Sequence, residues 1–144
     1  MNILIVDDSL RMRRTIRSLL AGVVHEVSEC EDGSQVLDCY QEHRPDWVLM
    51  DIGLKAVDGI TATHKLKAAF PEAKVVILTD YDDAMLRQAA HQAGACAYVL
   101  KEDLFKVREI INATSDKFSA EREARKLENR GDGHKTLTAL KGCS

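Results

Sequence analysis

Five short apolar runs punctuate the chain: Ile3-Leu4-Ile5-Val6, Val23-Val24-His25-Glu26-Val27, Trp47-Val48-Leu49-Met50, Val75-Val76-Ile77-Leu78 and Ala97-Tyr98-Val99-Leu100. Four are nearly continuous, as expected of strands covered by helices on both faces; a strand with one wet face alternates instead. The second run alternates more and reads as an edge strand. Amphipathic stretches of helical length lie between the runs. Residues 9–21 open at Ser9, a good N-cap, and place Met12, Ile16 and Leu19-Leu20 on one stripe. Residues 34–43 carry Val36, Leu37 and Tyr40, and residues 59–69 follow the cap residue Asp58 and carry Ile60, His64 and Leu66. Residues 82–93 carry Met85, Leu86, Ala89 and Ala93 and stop at Gly94, a natural residue just past a helix end. A fifth helix is predicted from about Asp103, carrying Leu104, Val107, Ile111 and Phe118. Pro45 and Pro71 stand where a helix must stop before the next strand.

The alternation is (βα)5. Parallel strands need crossovers, and here the crossovers are helices, which predicts a doubly wound α/β sheet. Such a sheet places its site at the carboxyl ends of its strands.

Composition narrows the reading. With 45% hydrophobic and 30% charged residues in 144, the chain can bury a core and is not of the disordered class. No apolar run approaches the roughly 20 residues of a membrane span. Met1 to Asp8 lacks the basic start of a signal peptide, so a cytoplasmic location with no membrane partner is expected. Cys30, Cys39, Cys96 and Cys143 form no CxxC pair, so cytosolic free thiols rather than zinc are expected. The net charge of −3 divides unevenly: residues 119–144 hold six Lys/Arg against four Asp/Glu, or +2, and the remainder is −5. Nothing in this forces an affinity of the chain itself for nucleic acid.

The strand ends carry the chemistry. Strand one ends in Asp7-Asp8, strand three in Asp51, strand four in Thr79 with Asp80 next, and strand five in Lys101. Each has an ordinary explanation by itself, since Asp favours turns and helix starts and a lysine is usually solvated. Their coincidence at the ends of four of the five predicted strands is the signal. Crowded carboxylates resist ionising together, and a hard divalent cation such as Mg2+ relieves that conflict with oxygen ligands. A carboxylate can also act as a nucleophile and form an aspartyl-phosphate. An ammonium and a hydroxyl suit the charge that then gathers on the phosphoryl oxygens.

Together these residues resemble a known pattern. Ile3-Leu4-Ile5-Val6-Asp7-Asp8 is similar to the opening of the receiver domain of bacterial two-component response regulators. So are Pro45-Asp46-Trp47-Val48-Leu49-Met50-Asp51-Ile52 with Asp58-Gly59, Val76-Ile77-Leu78-Thr79, and Gly94-Ala95-Cys96-Ala97-Tyr98-Val99-Leu100-Lys101. The wording is most similar to receivers of regulators with a C-terminal helix-turn-helix of the LuxR type. The resemblance covers about residues 1–118. It implies a flavodoxin-like fold with strand order 2-1-3-4-5. It implies that Asp51 accepts a phosphoryl group from a sensor histidine kinase or phosphotransfer protein, as a signalling domain rather than an enzyme. Asp8 and Asp51 would bind Mg2+ directly, Asp7 through water, and the Gly53 carbonyl would be a further ligand. Lys101 would pair with the phosphate, and Thr79 with Tyr98 would form the switch. Helix four, strand five and helix five would face the downstream output protein or, as a homodimer, a second copy.

Beyond residue 118 that pattern ends. Residues 119–130 are rich in helix formers with a thin stripe of Ala120, Ala124 and Leu127, and read as a helical extension of helix five or a short coiled segment. Gly131-Asp132-Gly133 should end any helix, and His134 to Ser144 read as a flexible tail too short for a domain. The leading expectation is a phosphorylation-dependent switch acting by protein contact. Alternatives are the receiver part of a DNA-binding regulator whose output domain is absent from this chain, and a docking module independent of phosphate. A Mg2+-dependent phosphohydrolase is disfavoured, because the position two residues beyond Asp51, where that class has a second carboxylate, is Gly53.

Three departures from the family wording stand out. Lys55 replaces a usual proline, which leaves φ unfixed there; Asp80 replaces a small neutral residue; Glu102 replaces a proline whose cis bond would cost a non-proline residue about 3–4 kcal/mol. The first two generate a prediction. Lys55→Pro should stiffen the loop and remove a cation from the acidic rim, changing acyl-phosphate uptake and Mg2+ affinity. Asp80→Ala should speed access of an anionic phosphodonor. Unchanged phosphorylation kinetics in either variant would refute the role given to that residue.

Overall fold

Strands β1 (Asn2–Val6), β2 (Glu26–Cys30), β3 (Trp47–Asp51), β4 (Val75–Thr79) and β5 (Ala97–Leu100) form one parallel sheet in the order β2-β1-β3-β4-β5. This is the doubly wound, flavodoxin-like arrangement. The structure is a computed structural model that describes residues 1–113. The expected helical extension over 119–130, the tail and Phe118 lie outside the described residues.

The apolar runs form strands because helices cover both faces of the sheet, as their continuity predicts. Alternate residues of each strand divide between two cores. Ile3, Ile5, Trp47, Leu49, Val76 and Leu78 pack with Ile16 and Leu20 of α1 (Leu10–Leu20) and with Val107 and Ile111 of α5, the helix over 105–113. Leu4, Val6, Val48, Met50, Val75 and Ile77 pack with Val36 and Tyr40 of α2 (Val36–His43), Ala62 and Leu66 of α3 (Gly59–Ala69), and Ala90 of α4 (Ala84–Gln92). Each fully buried aliphatic side chain contributes about 1.5–3 kcal/mol relative to exposure, so the central strands dominate the hydrophobic stabilisation.

Helix starts follow their caps. Ser9 Oγ accepts the Met12 N–H at 3.2 Å, Asp58 Oδ1 the Thr61 N–H at 2.9 Å, and Asp83 Oδ1 the N–H groups of Met85 and Leu86. Helix α2 ends at Arg44, in the left-handed region with φ 44°, just before Pro45. Gly94, with φ 102°, ends the turn after α4.

Several expectations need correction. β2 runs from Glu26 to Cys30, three residues later than the Val23–Val27 run. The Val23-Val24 pair is used to turn the chain off α1: Gly22 has φ 84°, and the N–H groups of Val23 and Val24 both donate to the Leu20 carbonyl. β2 is an edge strand as predicted, but its polar Ser28 and Glu29 hid its position from an apolar-run criterion. α2 is shorter than 34–43, because Gly33–Gln35 form a 3-10 turn first. Of the residues that mark the amphipathic stretches, Leu37, His64 and Met85 are exposed, Met85 at 81%. Thr63 is buried instead of its neighbour His64, its hydroxyl donating to the Gly59 carbonyl at 2.7 Å. No cis peptide bond occurs among the described residues, Glu102 included.

Gly59 seats α3 against the end of β3. A Cβ there would overlap the Asp51 carbonyl oxygen, and the Gly59 N–H donates to the Ile52 carbonyl at 3.1 Å. Only glycine permits that approach. Gly59→Ala is therefore expected to lower stability by about 1–3 kcal/mol or more through overpacking. Urea denaturation checks this; an unchanged midpoint would show that α3 moves away without penalty.

Candidate functional site

Strand register alone assembles the rim. Val6 pairs with Met50, so Asp7, just past the end of β1, lies beside Asp51, the last residue of β3. Asp51 pairs with Leu78, and Thr79 follows. Thr79 pairs with Leu100, and Lys101 follows. Residues up to 94 apart in sequence thus meet at one edge.

Asp7 and Asp51 are buried, at 1% and 8% exposure, while Asp8 faces solvent. One carboxylate oxygen from each of the three lies within 4.8 Å of the others. Lys101 bridges the two buried ones, its Nζ 3.0 Å from Asp7 Oδ2 and 3.2 Å from Asp51 Oδ1. Burial pushes the Asp51 carboxyl above its ordinary range; the Lys101 ammonium opposes the rise, the Asp7 charge adds to it, and the Gly53 N–H opposes it by hydrogen bonding to the carboxylate. Burial would lower Lys101, but its bond to Asp7 and the two nearby negative charges outweigh that and raise it. One ammonium therefore balances two inward carboxylates, and a third stands at the solvent side. A small, hard, oxygen-seeking dication fits this donor set, since it would supply the missing positive charge.

Thr79 is buried at the end of β4, and its hydroxyl oxygen accepts the Tyr81 N–H at 3.1 Å. Tyr98, half-buried on β5, donates its hydroxyl to the Tyr81 carbonyl at 2.5 Å. Burial raises the Tyr98 phenol, and a polar contact with Thr79 pulls it back. The Arg87 guanidinium of α4 stacks 4.5 Å from the Tyr98 ring centre. Thr79 and Tyr98 thus share the Tyr81 backbone as a common partner. Lys55, Asp80 and Glu102 are all exposed. Gly53 lies beside the acidic cluster; a Cβ on it would come 3.8 Å from Asp51 Oδ2. No disulfide involves Cys30, Cys39 or Cys96, and Cys143 lies outside the described residues.

Sequence reasoning missed Arg13. It is buried, its Nη1 donates to the Asp7 carbonyl at 2.6 Å, and its Nε donates to Glu29 Oε1 at 2.8 Å. Glu29 also receives Arg17 at 2.8 Å. Arg13 thus holds the Asp7 backbone, and Arg17 shares the Glu29 carboxylate with it. Four arginines crowd α1, and no spacing singles out the one that β2 covers.

Comparison with known proteins identifies the family and the fold. The family model described as "Response regulator receiver domain" matches residues 3–114. The chain is 38% identical over 114 residues to Chemotaxis protein CheY of Bacillus subtilis, covering 78% of this chain and 95% of the relative. It is 37% identical over 116 residues to the uncharacterized transcriptional regulatory protein YhcZ of the same organism, covering 76% of this chain but only 54% of that relative. Among solved structures, a LuxR-family two-component response regulator from Aurantimonas sp. SI85-9A1 superposes with a TM-score of 0.72 at 29% identity, covering 78% of this chain and 83% of that one. The chain belongs to the response regulator receiver family.

The Arg13–Glu29–Arg17 cluster generates a pH prediction. Burial opposes ionisation of Glu29, but the hydrogen bonds and charges of Arg17 and Arg13 outweigh it and hold the carboxyl below its ordinary 4.5. Ionised Glu29 therefore stabilises the fold above that value, and the contribution is lost as pH falls through the lowered folded value. Glu29→Gln should be less stable than the wild type by about 0.5–1 kcal/mol at neutral pH. The gap should close in acid. Urea midpoints measured at both pH values check this, and a gap independent of pH would contradict it.

Proposed function

We propose that this chain is a phosphorylation-controlled receiver that accepts a phosphoryl group on Asp51 from a sensor histidine kinase or phosphotransfer protein and signals by protein contact. The observation that carries the reading is the meeting of Asp7, Asp8, Asp51, Thr79 and Lys101 at one rim of the sheet, with Lys101 bridging the two buried carboxylates. Asp7, Asp8, Asp51 and the Gly53 carbonyl would hold Mg2+, which when bound neutralises phosphoryl charge.

An Asp51 carboxylate oxygen forms the new bond to phosphorus. The phosphorus–nitrogen bond of a phosphohistidine, or the phosphorus–oxygen bond of a small acyl phosphate, breaks with its electron pair passing to the leaving group. Lys101 exchanges a carboxylate partner for a phosphoryl oxygen, which keeps its ammonium paired throughout. Thr79 turns its hydroxyl hydrogen toward another phosphoryl oxygen. Because Thr79 and Tyr98 meet at Tyr81, that movement reaches the β4–α4 loop and Arg87 of α4. The phosphoryl group adds about −1.5 to −2 charge and three acceptor oxygens, enough to shift a pre-existing balance of loop states. The protein's own chemistry is confined to accepting the group and losing it slowly to water. The output face is α4, β5 and α5, where a groove of about 430 Å3 is lined by Arg87, His91, Cys96 and Tyr98.

A second reading makes this the receiver part of a DNA-binding regulator, because the chain spans 54% of the similar transcriptional regulatory protein. The length of the native reading frame separates the two. Either way the domain is expected to work in the cytoplasm with the kinase as its input.

Incubation with Mg2+ and acetyl phosphate should add the mass of one phosphoryl group to the wild type and none to Asp51→Asn. Beryllofluoride with Mg2+ should shift the amide resonances of Thr79 and Tyr98. A wild type that takes up neither probe would instead be a phosphate-independent docking module.

A further inference from the structure

The segment that follows the phosphoacceptor, residues 52–58, is held from outside by a neighbouring loop. Asp32 stands just after β2 in extended conformation, with φ −148° and ψ 156°. Its Oδ2 accepts the Ser34 N–H at 3.0 Å, and its Oδ1 reaches 24 residues along the chain to accept the Ala56 N–H at 3.0 Å. The next residue, Gly33, is buried so closely against the Val57 carbonyl that any Cβ on it would overlap that oxygen. Two consecutive residues of one loop therefore grip two consecutive residues of the other.

This grip bears on the acidic rim. The captured loop begins at Ile52 and Gly53, and Gly53 lies beside the Asp51 carboxylate: a Cβ on it would come 3.8 Å from Asp51 Oδ2, and its N–H favours the ionised carboxyl. Within the loop, the N–H groups of Leu54 and Gly59 both turn back to the Ile52 carbonyl, which fixes its two ends. Its middle carries Lys55, exposed and without the fixed φ of a proline, and there the anchor is Asp32. The same β2 end also touches the other side of the rim, because the Cys30 carbonyl accepts the Asp7 N–H at 3.2 Å.

We propose that Asp32 is a positioning residue: through Ala56 it holds the loop whose Gly53 orients the Asp51 carboxylate and offers a carbonyl to the cation. The inference rests on the receiver function proposed above. Backbone and side-chain hydrogen bonds from Ser34, together with the amides of Ala56 and Val57, hold the Asp32 carboxyl down at about 2. The clasp is consequently charged, and its bonds charge-assisted, throughout the neutral range.

The test compares Asp32→Ala and Asp32→Asn with the wild type in the full chain. Three quantities are read: amide hydrogen exchange at Gly53 and Ala56 without phosphodonor, the acetyl-phosphate rate with its half-saturating Mg2+ concentration, and the urea midpoint. Asp32→Ala should accelerate exchange at both amides. It should also slow phosphorylation about tenfold, the scale set by losing a hydrogen bond to a charged group. The loss should fall mainly on the Mg2+ dependence. Asp32→Asn, which keeps an acceptor oxygen, should recover most of the exchange protection and rate. Should Asp32→Ala unfold, Asp32→Asn alone decides by its intermediate exchange and rate. Unchanged exchange at Ala56 and Gly53 would overturn the proposal, as would faster exchange with an unaltered rate and Mg2+ dependence. If the wild type itself takes no phosphoryl group, the functional reading fails, and exchange at Gly53 and Ala56 still judges the clasp.

Discussion

The site depends on an electrostatic imbalance at the carboxyl edge of the sheet. Asp7 and Asp51 are driven together by strand register, buried by the packing around them, and held by one ammonium, Lys101. Two buried carboxylates that share one cation sit at a high electrostatic potential energy. That arrangement persists because the sheet and its helices over-determine it, not because the three groups favour it. It is also what makes the rim receptive to positive charge, and in the proposed reaction Lys101 would exchange a carboxylate for a phosphoryl oxygen.

The surrounding contacts keep that imbalance in place. Gly59 lets α3 sit directly on the Asp51 backbone, and Arg13 secures the Asp7 carbonyl from α1. The helix-capping hydroxyl of Ser9 and the Ser9 N–H bonded to Asp7 Oδ1 tie the first acidic residue to the start of α1. On the far side, Thr79, Tyr81 and Tyr98 make a short polar chain between the rim and α4. This polar chain is the route by which the proposed phosphorylation would be read at α4.

Much of this was legible in the chain. The continuous apolar runs mark strands buried on both faces, and the five rim residues stand at the ends of those runs in the sequence itself. The cap residues Ser9 and Asp58 and the stop at Gly94 marked helix boundaries well, because capping is a local interaction between a side chain and its own nearby backbone. The failures share a cause. β2 was displaced because an edge strand that meets arginines needs few apolar residues, so Ser28 and Glu29 did not look like strand. Leu37, His64 and Met85 fit helical spacing yet are exposed, because which side of a helix is buried depends on the neighbour it meets.

Amino-acid order by itself determined the class of fold and the chemical types at the rim, since hydrophobic periodicity and turn chemistry are properties of short windows. Only tertiary structure decided which charges meet. Arg13 rather than Arg11, Arg14 or Arg17 reaches the Asp7 carbonyl, and Asp32 rather than another loop carboxylate captures Ala56. Both choices follow from strand register and the crossing of loops far apart in sequence. Such contacts are selected by the packing of the whole sheet, and no local pattern encodes them.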